Sequence, residues 1–302
     1  MGARTSSRAL ARGDRLARRK LRCDRPARLS AACRRRVILR FRLLFIGDIV
    51  GPAGCSAVLD LVPLLRRELE PDAVVANAEN SAPTGRGITR ESGAALLSVV
   101  DFLTLGNHAF DAEGYEEFFG EEDRVVRPAN FGEKDPGLGL GVFEAGGVRV
   151  GVSNVLGRVF VERTKISPFE AADLAVEELK ARGAELVLID SHAEATSEKQ
   201  ALGHYLDGMA HAVLGTHTHV PTADHSILPG GTAYVTDVGM TGCTESIIGF
   251  EREDFLALFM GDWRGISVAT RGPVVLNGAL VEFDLDARQA TGIEAVRRKW
   301  TP

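Results

Sequence analysis

The chain has few cysteines and no pair of them at the spacing of a metal site. Cys23, Cys33, Cys55 and Cys243 are scattered through 302 residues without a C-x-x-C pair. This spacing argues against a zinc ribbon and provides no disulfide framework. We therefore expect a protein of a reducing compartment, the cytoplasm.

Long hydrophobic runs are also missing. No stretch approaches the roughly 18 consecutive apolar residues of a membrane-spanning helix. With 45% apolar and 25% charged residues, the composition is that of a globular protein able to bury a sizeable core. We expect no membrane partner.

Basic residues are scarce outside the first part of the chain. Residues 1–42 contain fourteen Arg and one Lys against Asp14 and Asp24, a net charge of +13, whereas residues 43–302 carry 21 basic and 39 acidic side chains, a net charge of −18. A nucleic-acid-binding arm, an Arg-rich targeting peptide and residues translated upstream of the true start all fit this segment. We predict that residues 1–40 are a disordered extension or an artefact of start assignment, and that residues 41–302 form the folded domain.

Short apolar runs that end in polar clusters alternate with helical patterns from Leu43 onward. The runs cover residues 43–46, 73–76, 102–105, 185–189 and 212–214, and the helical patterns cover residues 57–70, 90–99 and 167–182. This β-α alternation predicts an α/β fold with a largely buried sheet.

Side chains that can bind metals or move protons stand where these runs end. They are Asp48, Glu79, Asn80, Asn107, His108, His192, His217 and His219. Taken singly, Asp48 fits a helix cap, Asn80 a turn and His192 a core histidine. Together they predict one site, because ligands of α/β sheets bind outside the carboxyl ends of the strands.

The two histidines of Gly215-Thr216-His217-Thr218-His219 are one residue apart. If the apolar run before them continues as a strand, alternation sends His217 and His219 to one side and Thr218 to the other. We therefore predict that both imidazoles face a single point.

The types of these side chains indicate which metals could bind. Carboxylate, amide and imidazole donors without thiolate suit Mn, Fe or Zn, whereas calcium prefers oxygen donors alone. The donors are too many for one tetrahedral ion. Two ions bridged by a carboxylate, about 3.5–4 Å apart, would use them and would suit in-line attack on phosphorus. Because the main body is acidic, a small phosphorylated substrate fits better than a long nucleic-acid backbone.

The motif order resembles that of the calcineurin-like metallophosphoesterases. Gly47-Asp48 comes first, and the later motifs are Glu79-Asn80, Gly106-Asn107-His108, His192 and Gly215-Thr216-His217-Thr218-His219. Two features depart from the general pattern: Asp48 is followed by Ile49-Val50 without the usual histidine, and Glu79-Asn80 replaces an aspartate. Both departures resemble the YmdB-like bacterial phosphodiesterases. The resemblance covers roughly residues 41–285.

This resemblance implies a fold, an activity and roles for the residues. The fold would be a β-sandwich flanked by helices. Asp48, Asn80 and His219 would hold one ion, Asn107, His192 and His217 would hold the other, and Glu79 would bridge them. A hydroxide carried by the two ions would attack a cyclic nucleotide, chiefly a 2',3'-cyclic monophosphate opened at its 2' bond, with His108 as general acid. The ions would be iron or manganese, with zinc as the alternative.

Other interpretations and candidates stay open at this point. A phosphomonoesterase of the same fold needs the same ligands, and a metal-containing RNA-binding regulatory protein would use the Arg-rich segment, which gives nucleic acid only weak support as a partner. A homo-oligomer is also open. Further residues near the substrate or behind the ligands, or only in turns, are residues 84–87, Glu194, Thr196, Glu198, Thr222 and Asp224.

Two further segments and three histidines receive expectations as well. Phe255, Leu258, Phe259 and Trp263 have helical spacing and should pack on the core rather than on another subunit. The resemblance brings the loop of residues 237–242 near the site. We treat His204, His211 and His225 as non-ligands.

Overall fold

The computed structural model describes residues 39–161, 163–263 and 265–301. The predicted extension of residues 1–40 therefore lies almost wholly outside the described residues. Residues from Ile38 onward belong to a single unit of the chain. Its first strand starts at Arg40, one residue before the predicted domain boundary.

The described residues form the following elements, numbered along the chain. The strands are β1 (Arg40–Ile46), β2 (Ala73–Asn77), β3 (Phe102–Thr104), β4 (Val125–Val126), β5 (Leu140–Ala145), β6 (Val148–Leu156), β7 (Leu186–His192), β8 (Ala212–Thr216), β9 (Ser226–Ile227), β10 (Ala233–Val235), β11 (Gly242–Cys243), β12 (Val274–Asp284) and β13 (Gln289–Trp300). The helices are α1 (Gly51–Leu69), α2 (Arg90–Leu97), α3 (Tyr115–Glu121), α4 (Pro168–Ala181), α5 (Thr196–Tyr205) and α6 (Arg252–Phe259).

The strands form two sheets. A seven-stranded sheet has the order β11-β12-β1-β2-β3-β4, with β13 paired to β12, and a six-stranded sheet has the order β5-β6-β7-β8-β10-β9. Strands β1, β2 and β3 are parallel to one another, as are β6, β7 and β8. Parallel neighbours bring their carboxyl ends to one edge, so each sheet presents a set of strand ends where ligands can bind.

Alternating side chains of the strands join different cores. In β1, Leu43 and Phe45 point into the core between the two sheets, whereas Leu44 and Ile46 pack with residues of α1. The other sheet repeats the pattern, because Leu188 joins the inter-sheet core while its neighbours in β7 pack with residues of α4. The central strands of each sheet are buried on both faces, which explains their nearly continuous apolar runs in the sequence.

The helices largely follow the predicted patterns. Helix α4 begins after Ser167, whose side chain accepts a hydrogen bond from the Phe169 amide, and it ends before Gly183, which has φ of +81°. Helix α1 begins at Gly51, six residues before the predicted start. No helix in the described part of the chain is long and apolar enough to cross a bilayer.

One expectation about the C-terminal part needs correction. The face predicted to pack on the core is largely exposed, because Phe259 and Trp263 are 78% and 59% accessible to solvent. Phe255 alone of the two α6 phenylalanines contacts an apolar cluster, next to Phe250. The hairpin of β12 and β13 was not predicted, although β12 pairs with β1 at the centre of its sheet.

Candidate metal centre

The first group of predicted ligands meets at the side chain of His192. Its Nε2 atom lies 2.9 Å from Oε1 of Glu79, 3.2 Å from Oδ1 of Asn107 and 3.1 Å from Nδ1 of His217. The carboxylate and the two imidazoles offer donor atoms that all lie within 4.8 Å of one another. One ion could contact these donors at once.

The second group lies beside the first. His219 Nε2 is 3.2 Å from Oδ1 of Asn80 and 4.0 Å from Oδ1 of Asp48. The same Asp48 oxygen is 3.9 Å from His192 Nδ1, so the two groups adjoin. Asp48, Asn80 and His219 are all almost completely buried. The structure thus brings together all seven side chains that the sequence named as ligands.

Hydrogen bonds to the backbone leave one donor atom facing the site in two of the predicted ligands, His219 and Asn80. His219 Nδ1 bonds the carbonyl oxygen of Ile248 at 2.7 Å, which leaves Nε2 for the site. The Asn80 amide nitrogen donates to the Gly85 carbonyl at 2.9 Å, which turns Oδ1 inward. Fixed tautomers and orientations of this kind support metal ligands in other proteins.

A longer relay fixes the orientation of His192. Its Nδ1 atom bonds Oγ1 of Thr216 at 2.8 Å, and the same hydroxyl donates to Oδ1 of Asp190 at 2.5 Å. The other oxygen of Asp190 accepts hydrogen bonds from Asn77 and Thr104, which belong to the opposite sheet. Asp190 therefore ties the two sheets together directly behind His192.

Burial and charge perturb the titration of these side chains. Burial raises the pKa of the Asp48 carboxyl to about 6 against the opposing influence of His219 and His192. Burial opposes charge on His192, but the Glu79 carboxylate outweighs it and raises the pKa of His192 to about 9. Burial and the neighbouring His192 lower the pKa of His217 to about 3. An ion bound at Nε2 of His192 would take the place of that histidine's proton.

His108 lies at the rim of this cluster. Its backbone N–H donates to Oε2 of Glu79 at 3.0 Å, and its Nδ1 atom contacts Oδ2 of Asp111 at 2.6 Å. Arg163 contacts the other Asp111 oxygen and the carbonyl oxygen of Asn107. His108 is thus held by its backbone and by Nδ1.

The loop after β8 presents its histidines differently from the prediction. Strand β8 ends at Thr216, and both His217 and His219 have positive φ angles, +91° and +67°. The two imidazoles reach the site from a left-handed loop, so the predicted strand alternation was wrong although the predicted destination was right. Thr218 does turn away, because its hydroxyl donates to Asp237 at 2.8 Å.

Glycines next to the ligands leave room for close backbone packing. A Cβ atom on Gly47, before Asp48, would lie 1.7 Å from the carbonyl oxygen of Gly239, and one on Gly215 would lie 1.7 Å from that of Thr236. No side chain fits at either position without a shift of backbone. The glycines of these motifs are therefore required by packing between neighbouring loops.

A cavity of about 360 Å³ opens beside the cluster. Glu79, Asn80, His108, His217 and His219 line one part of it. Apolar side chains line another part: Ile248, Phe250, Phe255 and Ile266. The cavity therefore joins the polar cluster to an apolar wall.

The remaining candidates from the sequence differ in whether they line the cavity. Arg86 and Glu194 line the cavity, and a Glu194 oxygen lies 3.3 Å from Nε2 of His217. Glu198 instead accepts the backbone N–H groups of Arg158 and Val159. Thr84, Thr222 and Asp224 form local hydrogen bonds. The Thr84 hydroxyl donates to the Arg86 carbonyl oxygen, and the Thr222 hydroxyl donates to the Asp224 carboxylate.

Comparisons with known proteins give the family. A family model described as YmdB-like protein matches residues 44–296. The chain belongs to the YmdB-like family. It is 42% identical over 256 residues to the 2',3'-cyclic-nucleotide 2'-phosphodiesterase of Bacillus subtilis (strain 168), with 84% of this chain and 96% of that protein covered.

Two solved structures have a fold similar to that of this chain. The crystal structure of a phosphatase from Mycoplasma pneumoniae has a TM-score of 0.80 and 31% identity, covering 87% of this chain and 94% of that one. A hypothetical protein from Thermus thermophilus has a TM-score of 0.79 and 42% identity, covering 86% of this chain and 99% of that one. The predicted fold class, a metallophosphoesterase β-sandwich flanked by helices, is confirmed.

Several residues that shape the site were not predicted from the sequence. Asp111, Asp190 and Thr216 contact predicted ligands or His108, and Lys199 and Asp237 lie behind the loop of His217. The signal that could have found Asp190 and Thr216 is their position at the end of an otherwise apolar strand, within two residues of a predicted ligand, where a buried polar side chain needs a partner.

Proposed function

We propose that this chain, a phosphoesterase by family, hydrolyses cyclic nucleotides, with 2',3'-cyclic monophosphates opened at the 2' bond as its principal substrates. The observation that carries the proposal is the meeting of two donor groups around His192 and His219, with His108 at their rim. The Bacillus relative that bears this activity in its name supports it, because nearly its whole length is matched.

The donor groups fit a pair of divalent cations. Asp48, Asn80 and His219 would hold one, Asn107, His192 and His217 the other, and Glu79 would bridge them. The donors are oxygens and imidazole nitrogens without thiolate, which suits iron or manganese, with zinc as the alternative. When bound, two such cations supply charge neutralisation at the phosphoryl oxygens and acidify a water molecule.

His108 would act as the general acid. Asp111 occupies its Nδ1 atom, so Nε2 is the nitrogen left to hold a proton for the substrate. The backbone bond from His108 to Glu79 fixes this imidazole beside the ligands without requiring it to be one. A proton delivered from Nε2 to the departing ribose oxygen completes cleavage of the ester bond.

The apolar wall of the cavity favours a nucleotide over a small monoester. A cyclic nucleotide has an anionic phosphate at one end and a planar base at the other. The phosphate would lie at the ligands, with Arg86 on the same cavity, and the base would lie against Phe255 and its apolar neighbours. A simple phosphomonoester would leave that wall without a contact.

The decisive experiment compares substrates on the metal-loaded protein. Purified chain with Mn²⁺ or Fe²⁺ is assayed on 2',3'-cyclic AMP, 3',5'-cyclic AMP and an aryl phosphomonoester, beside His108→Ala. We expect diester hydrolysis that falls by about 10²-fold in His108→Ala while metal content is retained. Absence of diester hydrolysis would overturn the proposal, and monoester hydrolysis alone would replace it with a phosphomonoesterase. If the full chain hydrolyses no substrate but binds RNA, and loses this RNA binding when residues 1–36 are removed, the result would favour a metal-containing RNA-binding regulatory protein.

A further inference from the structure

A lysine and an aspartate form an ion pair in the interior behind the site. Nζ of Lys199, in α5, lies 2.7 Å from Oδ2 of Asp237, and both side chains have no solvent exposure. Removing two charges from water is costly, and a buried pair often contributes nothing net to stability compared with apolar packing. The position of this ion pair behind the site therefore indicates a role other than stabilising the fold.

Lys199 and Asp237 both form hydrogen bonds to the loop that carries two of the predicted ligands. Lys199 donates a second hydrogen bond, of 2.5 Å, to the carbonyl oxygen of Thr216. Oδ2 of Asp237 accepts from the backbone N–H of Thr218 at 3.1 Å and from its hydroxyl at 2.8 Å. The anchored residues stand on either side of His217, and the second of them precedes His219.

The anchored segment has a backbone conformation that side-chain-bearing residues rarely adopt. His217 and His219 both have positive φ angles. They also lie beyond the end of β8. Asp237 is held in turn, because its Oδ1 accepts the N–H of Gly239 at 2.8 Å.

We propose that the Lys199–Asp237 ion pair is a positioning device that fixes His217 and His219 in their left-handed conformations. The proposal rests on the metal site proposed above. His217 and His219 belong to different donor groups, so the pair would set the geometry of both ions together. Neither Lys199 nor Asp237 contacts the predicted donor atoms, and their influence passes through Thr216 and Thr218.

The test measures metal binding in Lys199→Met and Asp237→Asn. Titration with Mn²⁺ by calorimetry and the absorption spectrum of the Co²⁺-loaded protein report affinity and ligand geometry without recourse to activity. We expect roughly 10- to 100-fold weaker binding of both ions and an altered Co²⁺ spectrum, as for loss of other groups that orient ligands. Asp207→Asn is the matched control, because Asp207 also accepts two backbone N–H groups, from Gly230 and Thr232, in a different turn. Its metal binding should equal that of the wild type.

A folded Lys199→Met protein that binds both ions with wild-type affinity would overturn the proposal. If this variant does not fold, the charge-neutral Lys199→Met/Asp237→Asn protein leaves no unpaired buried charge and is judged by the same criterion. Failure of the wild type to bind any ion would instead reject the metal site. The positioning role is then decided by hydrogen exchange: the Thr218 amide must exchange at least tenfold faster in Lys199→Met but not in Asp207→Asn, and unchanged exchange rejects it.

Discussion

Gly106 packs directly against Glu79: a Cβ atom at position 106 would lie 2.2 Å from Oε2 of the carboxylate and 2.3 Å from Nε2 of His192. Real Cβ atoms do not approach other atoms so closely, so any side chain here must displace these two groups. The methyl group would enter the space between donors of the first group.

Gly106→Ala should therefore remove metal binding with little else changed. We expect metal content, measured by elemental analysis after Mn²⁺ loading, to fall by more than half while the circular dichroism spectrum stays that of a folded protein. Gly120→Ala is the control, because a Cβ there meets nothing within 4 Å. Full metal content in Gly106→Ala would show that Glu79 and His192 do not bind the ion through these atoms.

The hydroxyl of Thr216 allows a test of the relay behind His192. Thr216→Val keeps the shape of the side chain but breaks the bonds to His192 Nδ1 and to Asp190 Oδ1. We expect metal affinity to fall by about 10- to 100-fold, as for other groups that orient a ligating histidine. Thr216→Ser retains the hydroxyl and should bind metal nearly as the wild type does. Equal affinities for the two variants would mean that the relay does not orient His192 for metal binding.

The central strands could be predicted from the sequence because they are buried on both faces. Runs such as residues 43–46 and 186–189 are continuously apolar, so these strands and their burial in a sheet could be predicted directly. Strand β13 mixes charged and apolar residues, since much of it is exposed, and it carried no such signal. Helix α6 shows the opposite failure: its apolar spacing is regular, yet Phe259 faces solvent.

The convergence of the seven candidate ligands could be predicted because side chains at the carboxyl ends of neighbouring strands lie at one edge of a sheet. The contacts that hold these side chains in place could not be predicted. Histidine does not favour a positive φ angle, and the hydrogen bonds beside His217 and His219 come from Lys199 and Asp237, residues distant in the sequence. Lys199 has the residue type of a surface position, and its burial depends on Asp237, which lies 38 residues later.

The apolar wall of the cavity predicts how the enzyme would discriminate its substrates. Phe255→Ala should raise KM for 2',3'-cyclic AMP about tenfold with kcat nearly unchanged, because stacking of a base on an aromatic ring contributes about 1–3 kcal/mol. Ribose 2',3'-cyclic phosphate, which lacks the base, should show no change in KM. Phe259→Ala provides the control, since Phe259 lies on the same helix but is exposed outside the cavity. A KM that rises equally for both substrates would exclude a base contact at Phe255.

His211 predicts a pH dependence of stability that is separate from the metal site. Its Nδ1 atom accepts the backbone N–H of Val187 at 3.0 Å, and burial, with Lys180 and Arg288 nearby, lowers the pKa of His211 from 6.5 to about 4. At pH values between these two pKa values, His211 is therefore protonated in the unfolded chain but not in the folded chain. The free energy of unfolding should be unaffected by His211 above pH 6.5 and should fall by up to about 1.4 kcal/mol per pH unit from there towards pH 4. In His211→Asn the amide oxygen can still accept the Val187 bond but cannot be protonated, so urea unfolding of the two proteins should show a shallower acid decline for the variant. Parallel declines between pH 6.5 and 4 would mean that His211 titrates alike in the folded and unfolded states.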